Sequence, residues 1–378
     1  MAPPPASLPD AEDLLREILL RLPPRPSSLP RASLVCKRWR SLVADPQFQR
    51  RFRDHHGKPP LLGFFIDNCG SCPFFSMLDR PDRIPRARFT MPLHEGSRIV
   101  DCRHGLVLFV SRRSPCRLFV WDPVAREQRR LVSPPELDCD QLFIFNGAVL
   151  RPALSQGCRS SYFKVALLAL DRWSTHTRVF ACLYSSDTGA WSNINSLQLQ
   201  LFVSTVEPST LIGNSFCWLL TGHHRYAILE FDLDRQSLAV TELPPQVEPG
   251  HHNLRILPAE DGGLGFIHIS QFHGQFWKRE PDSDGLAVWV LDRTIEFEQL
   301  RSTCNGDSLT LVGVAEESNA VLVRTASRVY MVHLQSMEFK KVFNMRFFYH
   351  HYPFACCYAA GPGIVDGHGG DEVSLNIM

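Results

Sequence analysis

A repeated strand–turn–strand pattern in the last three hundred residues constrains the fold of this chain most strongly. Five segments each join two apolar runs through a polar turn, and a further apolar run precedes each of them. We place the turns at Asp122, Asp187, Asp232, Asp292 and Ser336, which are about 53 residues apart on average. Runs rich in Val, Phe, Trp and Leu between Gly, Pro, Asp and Ser predict short antiparallel strands.

Such a repeat favours a β-propeller, because closing the sheets into a ring leaves only short and protected sheet edges. A repeat of this length accommodates a four-stranded blade, so about 300 residues predict six blades. We expect Leu61–Ile66 to supply a strand to the last blade and thereby close the ring. A β-sandwich or a pair of packed sheets is the alternative arrangement of the same strands.

The first fifty residues differ from the rest, because their apolar residues follow helical periodicity. We predict three helices: one capped by Asp10 and ended by Pro23-Pro24, a second from about Arg31 to Ala44, and a third opened by Asp45-Pro46. Three helices in about 45 residues are close to the lower limit for an independent core. The surplus of leucine therefore indicates a partner that covers the remaining apolar surface.

The order of residues in this segment resembles the F-box. The resemblance consists of Leu8-Pro9, the apolar segment Leu14–Leu19, the stop Arg21–Pro23, the run Leu34–Arg40 and the following Asp45-Pro46. Later features are similar to the F-box-associated propeller region of plant F-box proteins. These features are Arg103–Leu106, the turn at Asp122-Pro123 and the segment His350–Phe354.

The resemblance implies a substrate receptor of an SCF-type cullin–RING ubiquitin ligase. Such a chain binds a Skp-family adaptor, and through it cullin, while its β domain binds a protein target that the sequence does not identify. It contributes proximity rather than bond chemistry, so we expect no enzymatic activity and no cofactor. The residues that would form the helical core or contact the adaptor are Leu8, Pro9, Leu14, Leu15, Ile18, Leu19, Leu22, Pro23, Leu34, Val35, Cys36, Lys37 and Trp39.

The predicted fold class is accordingly α+β and multidomain. A small three-helix F-box is followed by a mainly antiparallel β-propeller-like domain of about six blades. We expect a disordered leader at residues 1–7, the helical domain at 8–56, the β domain at 57–362 and a flexible tail at 363–378.

Composition adds limits on partners and location. With 44% hydrophobic residues, 21% charged residues and a formal net charge of +1, the chain has an ordinary globular composition that does not indicate nucleic-acid binding. No signal-peptide core and no apolar stretch of 18 residues occur, so we expect no membrane partner. The twelve scattered cysteines are read as reduced thiols, which predicts a location in the cytoplasm, the nucleus or both.

Two other classes of function are alternatives to a substrate receptor. Residues 25–58 hold nine basic and two acidic side chains, which would suit a DNA-binding regulator. However, the linker Pro23–Pro30 is too long for the tight turn of a helix-turn-helix. A propeller enzyme or sugar-binding module is the other alternative, although phosphate-loop, dinucleotide, nucleophile-elbow and zinc-protease motifs are missing. We interpret Cys69 and Cys72 as structural thiols, and the histidine doublets as exposed loop residues.

Overall fold

Four helices form the N-terminal part of the computed structural model: α1 (Ala11–Leu20), α2 (Ser28–Ser33), α3 (Lys37–Ala44) and α4 (Pro46–His56). No helix among the residues that the structure describes is both long and apolar enough to cross a bilayer. The predicted leader and tail, together with Asp10, lie outside those residues. The structure describes residues 11–67, 71–91, 96–111, 117–137, 142–152, 162–171, 177–199, 207–221, 225–247, 253–301, 309–326, 328–344 and 350–356.

The prediction of one helix from Arg31 to Ala44 was wrong, and the predicted three helices are four. The last turn of α2 tightens, with the Val35 N–H donating to the Ala32 carbonyl at 3.2 Å. Cys36 is then extended, at φ −162° and ψ 171°, before α3 begins. The periodic pattern could not reveal this break, because the apolar residues on either side still reach one core. The predicted cap at Asp45 is present, and its side chain accepts from the Gln47 N–H.

The helices enclose a small apolar core of their own. Phe48 and Phe52 lie one turn apart on α4 and pack against α1 and α3, with ring centroids 6.2 Å apart. The buried members of this core are Leu15, Leu19, Leu20, Leu29, Ala32, Leu42, Val43, Phe48 and Phe52.

The described residues after α4 form six antiparallel sheets, which confirms the predicted six-bladed propeller. The closing blade takes β1 (Leu61–Ile66) and β2 (Phe74–Ser76) from the start of the domain. Blade 1 follows with β3 (Ser97–Arg103), β4 (Leu106–Ser111), β5 (Arg117–Asp122) and β6 (Glu127–Leu131). Blade 2 comprises β7 (Leu142–Leu150), β8 (Lys164–Asp171), β9 (Arg178–Ser185), β10 (Ala190–Trp191) and β11 (Asn195–Gln198).

Three further blades complete the circle. Blade 3 is β12 (Thr210–Ile212), β13 (Ser215–Thr221), β14 (Tyr226–Asp232) and β15 (Leu238–Glu242). Blade 4 is β16 (Leu254–Pro258), β17 (Leu264–Ser270), β18 (His273–Pro281) and β19 (Ala287–Glu296), and the short helix α5 (Glu298–Arg301) follows it. Blade 5 is β20 (Thr310–Ala315), β21 (Ala320–Arg324), β22 (Arg328–His333) and β23 (Phe339–Asn344). The final strand, β24 (His351–Ala355), returns to the closing blade.

The ring closes as predicted, because β1 pairs antiparallel with β24. β24 in turn lies between the first strands of blades 1 and 5, β3 and β20. Adjacent residues of β1 point to opposite faces, so Phe64 packs with blade 5 and Phe65 with blade 1. Gly63 is required here, since a Cβ atom would lie 2.1 Å from the Phe75 carbonyl oxygen.

An apolar cluster fills each of the six interfaces between neighbouring blades. Each sheet is thus buried on both faces near its centre, which explains why the inner strands read as continuous apolar runs rather than alternating ones. His351 on β24 is buried and stacks on Phe343, with ring centroids 5.4 Å apart. The prediction of an exposed doublet was therefore wrong for this residue.

Four of the five predicted turns join the two strands expected of them, and the turn at Asp292 was wrong. Asp292 lies within β19, where its carboxylate is 3.1 Å from the Lys278 ammonium. The hairpin turns instead at residues 282–286, where the Asp282 carboxylate accepts from the backbone N–H groups of Asp284 and Leu286. The sequence Pro-Asp-Ser-Asp-Gly at 281–285 was the correct turn signal.

The helical part contacts the closing blade directly. Only residues 57–60 separate α4 from β1. The Ser27 N–H donates at 2.9 Å to the carboxylate of Asp82, a buried residue that follows β2 in the sequence. The Arg25 guanidinium lies 4.0 Å from the same carboxylate. This contact, together with the short joint, holds the helices against one blade.

We predict that Phe65→Ala destabilises the propeller by about 3–5 kcal/mol, because it opens a cavity among the rings of Phe74, Trp121 and Phe354. Phe75→Ala on β2 is the matched control, since Phe75 is only half-buried and its loss should cost less than about 2 kcal/mol. Urea denaturation of the full chain measures both free energies. Equal losses would show that closure of the ring does not depend on this cluster.

Candidate functional site

The predicted adaptor-binding residues separate into a buried set and an exposed set. Leu15 and Leu19 are buried in the helical core, while Leu22 and Trp39 are half-buried and pack against it. The helical core also contains Leu20, which is not among the residues predicted from the sequence. Leu8 and Pro9 lie outside the described residues.

Four large apolar side chains of the helical part face solvent. Leu14, Ile18, Leu34 and Val35 are between 49% and 62% exposed, and we call them the apolar patch. Single exposed apolar residues are ordinary on protein surfaces, but four within 22 residues of sequence are a concentration of the kind that is found at interaction surfaces.

Helix α1 presents half of the apolar patch. Leu14 and Ile18 are four residues apart, which places them on one side of α1, while Leu15 and Leu19 lie on the side that packs into the core. The apolar residues predicted on α1 therefore cover a wider face of the helix than the core requires. Leu14 and Ile18 form the edge of that face that remains exposed.

The break between α2 and α3 presents the other half of the patch. Leu34 and Val35 precede Cys36 and Lys37, which are also exposed, and Pro23 is exposed after α1. The Arg38 guanidinium, in the first turn of α3, lies 3.8 Å from the Glu12 carboxylate in the first turn of α1. This ion pair joins the segment that carries Leu34 and Val35 to the helix that carries Leu14 and Ile18.

A second group of polar residues lies at the centre of the propeller, where the first strands of the blades meet. The Arg103 guanidinium on β3 donates to Asp101 at 3.0 Å, to the Ser209 hydroxyl at 3.0 Å and carbonyl at 2.8 Å, and to Glu316 at 2.7 Å. Burial works to lower the pKa of Arg103, but the carboxylates of Asp101 and Glu316 outweigh it and raise that pKa. One side chain thus joins blades 1, 3 and 5.

A second ion pair links neighbouring blades. The Arg255 guanidinium on β16 lies 2.9 Å from the Glu207 carboxylate and donates to the Leu311 carbonyl at 2.6 Å. Asn146 on β7 donates to the Glu207 carbonyl at 2.8 Å. The polar residues of the axis therefore bind one another across the ring, as buried charges must.

A small cleft opens beside Arg103. Its volume is about 40 Å³, room for about three water molecules. Burial, helped by Arg103 and Arg151, lowers the pKa of His104 in its wall to about 4, so this imidazole is neutral at pH 7. Burial and repulsion from Glu316 raise the pKa of Glu317 to about 7.

Burial makes the thiols of Cys72 and Cys102 poor nucleophiles. It raises the pKa of Cys72 to about 12 and the pKa of Cys102 well above its ordinary value. Cys69 lies outside the described residues. Within the described ranges, the structure holds no group of three side chains able to ligate a metal ion.

Comparison with known sequences finds two families along the chain. A model of the F-box domain matches residues 8–51. A second model, described as "F-box protein AT5G49610-like, beta-propeller", matches residues 98–360, more than half of the chain.

Individual proteins similar to this chain are F-box proteins as well. F-box protein At5g03970 of Arabidopsis thaliana is 24% identical over 363 residues, which cover 88% of this chain and 82% of that protein. F-box protein At5g07610 of the same plant is 23% identical over 323 residues, covering 77% of this chain and 71% of that protein. Among solved structures, the Dos1 propeller matches at 9% identity and a TM-score of 0.36, covering 75% of this chain and 68% of its own, and adds nothing to the fold described above.

We predict opposite effects for the two adjacent glutamates at the cleft. The pKa of Glu317 is raised in the folded state, so ionisation of Glu317 destabilises the fold. This destabilisation is absent below about pH 4.5 and complete above about pH 7. Glu317→Gln should therefore stabilise the protein by about 1–3 kcal/mol at pH 8 and flatten its stability between those pH values. Glu316→Gln removes a carboxylate from Arg103 and should destabilise by about 3 kcal/mol. Thermal unfolding at pH 5 and pH 8 measures both, and the same sign for both variants would contradict the assignment.

Proposed function

This chain belongs to the F-box proteins with an AT5G49610-like β-propeller, and from that premise we propose that it is the substrate receptor of an SCF-type ubiquitin ligase. In this role residues 8–56 bind a Skp-family adaptor and, through it, cullin. Residues 57–362 bind a protein target. The proposed location is the cytoplasm, the nucleus or both.

The observation that carries the adaptor half of the proposal is the apolar patch. The helical core is closed by Leu19, Phe48 and Phe52 without any contribution from Leu14 or Ile18. These side chains are exposed to water in the folded unit, so covering them with a partner lowers the free energy of the complex. Lys37 and Arg38 border the patch and would act as a charged rim.

The β domain supports a holding role rather than a catalytic one. The families that match are F-box and propeller proteins, not enzymes. The polar residues of the axis are engaged with each other, and the cleft at Arg103 is small. The contact of Ser27 with Asp82 would hold the target at a constant orientation to the adaptor, which is how such a receptor increases the rate of ubiquitin transfer.

The DNA-binding alternative has less support. Arg38 and Arg51 lie within 4 Å of Glu12 and Glu17 on α1, so part of the basic charge is compensated within the helical unit. An apolar patch beside those residues suits a protein partner, whereas a duplex would require phosphate contacts.

We predict that Leu14→Asp and Ile18→Asp each weaken binding of a purified Skp-family adaptor by about 100-fold, or about 2.7 kcal/mol, because each places a charge in the centre of the interface. Lys37→Ala should weaken binding by less than about threefold, since rim charges contribute little. Isothermal titration calorimetry on the full chain measures all three.

Val132→Asp is the matched control, because Val132 is fully exposed on the propeller and lies outside the helical unit. It should leave the affinity for the adaptor unchanged. Absence of adaptor binding by the unmodified chain, or equal binding by Ile18→Asp, would overturn the proposal. Tight binding of duplex DNA that falls steeply with salt would support the alternative instead.

A further inference from the structure

The outermost strand of blade 4 differs from the outer strands of the other blades. β2 has three residues, β15 has five, and β10 and β11 have two and four. β6 is charged and exposed along most of its length, and β23 carries Lys340 and Lys341. Short length and charge are the usual means by which sheet edges avoid pairing with other chains. β19 has ten residues and shows neither feature in its first half.

An uncharged run of six residues, Leu286–Leu291, begins at the turn before β19. Leu286, Val288, Val290 and Leu291 in this run are between 37% and 67% exposed. Trp289 is held inward, with its ring against Phe266 and its indole N–H donating to the Glu242 carbonyl at 2.8 Å. The run is therefore a well-supported apolar edge rather than a loose segment.

The backbone of β19 is available on one side. Its inner side pairs with β18 over the full length of the strand, and among the described residues no strand pairs with its outer side. Every second residue of an edge strand directs its N–H and C=O groups outward, in the spacing that matches another extended chain. Ten residues span roughly 33 Å, enough for a complete added strand.

The charges around this edge indicate the chemistry of its occupant. Asp282 and Asp284 lie at one end of the run, and Glu296 ends β19. The cations near the edge are occupied. The Lys278 ammonium lies 2.7 Å from Glu280 and 3.1 Å from Asp292, and the Arg293 guanidinium on β19 lies 3.3 Å from the Glu260 carboxylate. An apolar centre between acidic ends is complementary to an extended apolar segment flanked by Lys or Arg.

We propose that β19 is a docking edge at which such a segment of a partner protein adds to blade 4 as a fifth strand. In the function proposed above, the segment belongs to the target protein, and only this attribution rests on that function. The docking edge itself involves neither the apolar patch nor the adaptor, so the two proposals can fail separately.

The test uses the full chain and a fluorescein-labelled peptide, acetyl-Lys-Thr-Val-Thr-Val-Thr-Val-Lys-amide, measured by fluorescence polarisation. One control peptide has proline in place of the two central residues, so it cannot form a strand ladder. A second control peptide has glutamate in place of both lysines. We expect the lysine-flanked peptide to bind, and both controls to bind at least about tenfold more weakly.

The matched protein variants are Val290→Lys and Val240→Lys, whose native valines are both 37% exposed on the outer strands of neighbouring blades. Val290→Lys should weaken peptide binding by at least about tenfold, because a cation on the edge repels the flanking lysines and opposes pairing. Val240→Lys should retain the native affinity. Val288→Lys, two residues away on the same face, replaces Val290→Lys if circular dichroism shows that the latter is unfolded.

Four results would overturn the proposal. They are no binding of the lysine-flanked peptide, equal binding of the proline peptide, unchanged binding by the variants of β19, and sedimentation of the native chain as a dimer that Val290→Lys dissociates. The last result would assign the edge to a second copy of this chain. Ile18→Asp should leave peptide binding unchanged, and Val290→Lys should leave adaptor binding unchanged, so a failure of either proposal is recognised independently.

Discussion

The pairing of β1 with β24 is the interaction on which the rest of the structure depends. It joins residues 61–66 to residues 351–355, so the ring is complete only when the two ends of the domain have met. The clusters on either side of β1, around Phe64 and Phe65, both require it. Because α4 ends four residues before β1, the same pairing anchors the helical domain to the propeller.

A closed ring also determines where recognition can occur. The axis is filled by ion pairs that Arg103 and Arg255 form across the blades, and these buried charges are satisfied by one another. Little space remains there for a ligand. The surfaces that we propose for partners are accordingly external: the apolar patch on the helices and the outer edge of β19. They are separate surfaces, which suits a protein that holds two partners at once.

Sequence reasoning predicted most hairpin turns, the cap of α4 and the strand that closes the ring, and it failed at one turn and at one helix break. Four hairpin turns and the cap at Asp45 follow local chemistry, and each is present. Asp292 resembled a turn residue, but its partner Lys278 on the adjacent strand holds it within β19. The break at Cys36 was missed because both halves of the predicted helix face the same core.

The sequence by itself determined the class of each segment, the repeat length, the six blades and the identity of the helical motif, because periodicity and turn chemistry act over a few residues. Only the tertiary structure decided which apolar residues of the helical stripe are buried, since Leu15 and Leu14 look alike in sequence and differ only in what packs over them. It likewise decided that Arg103 meets Glu316, 213 residues away, and that β19 is an edge. Burial and ion pairing depend on the whole chain, whereas local patterns do not.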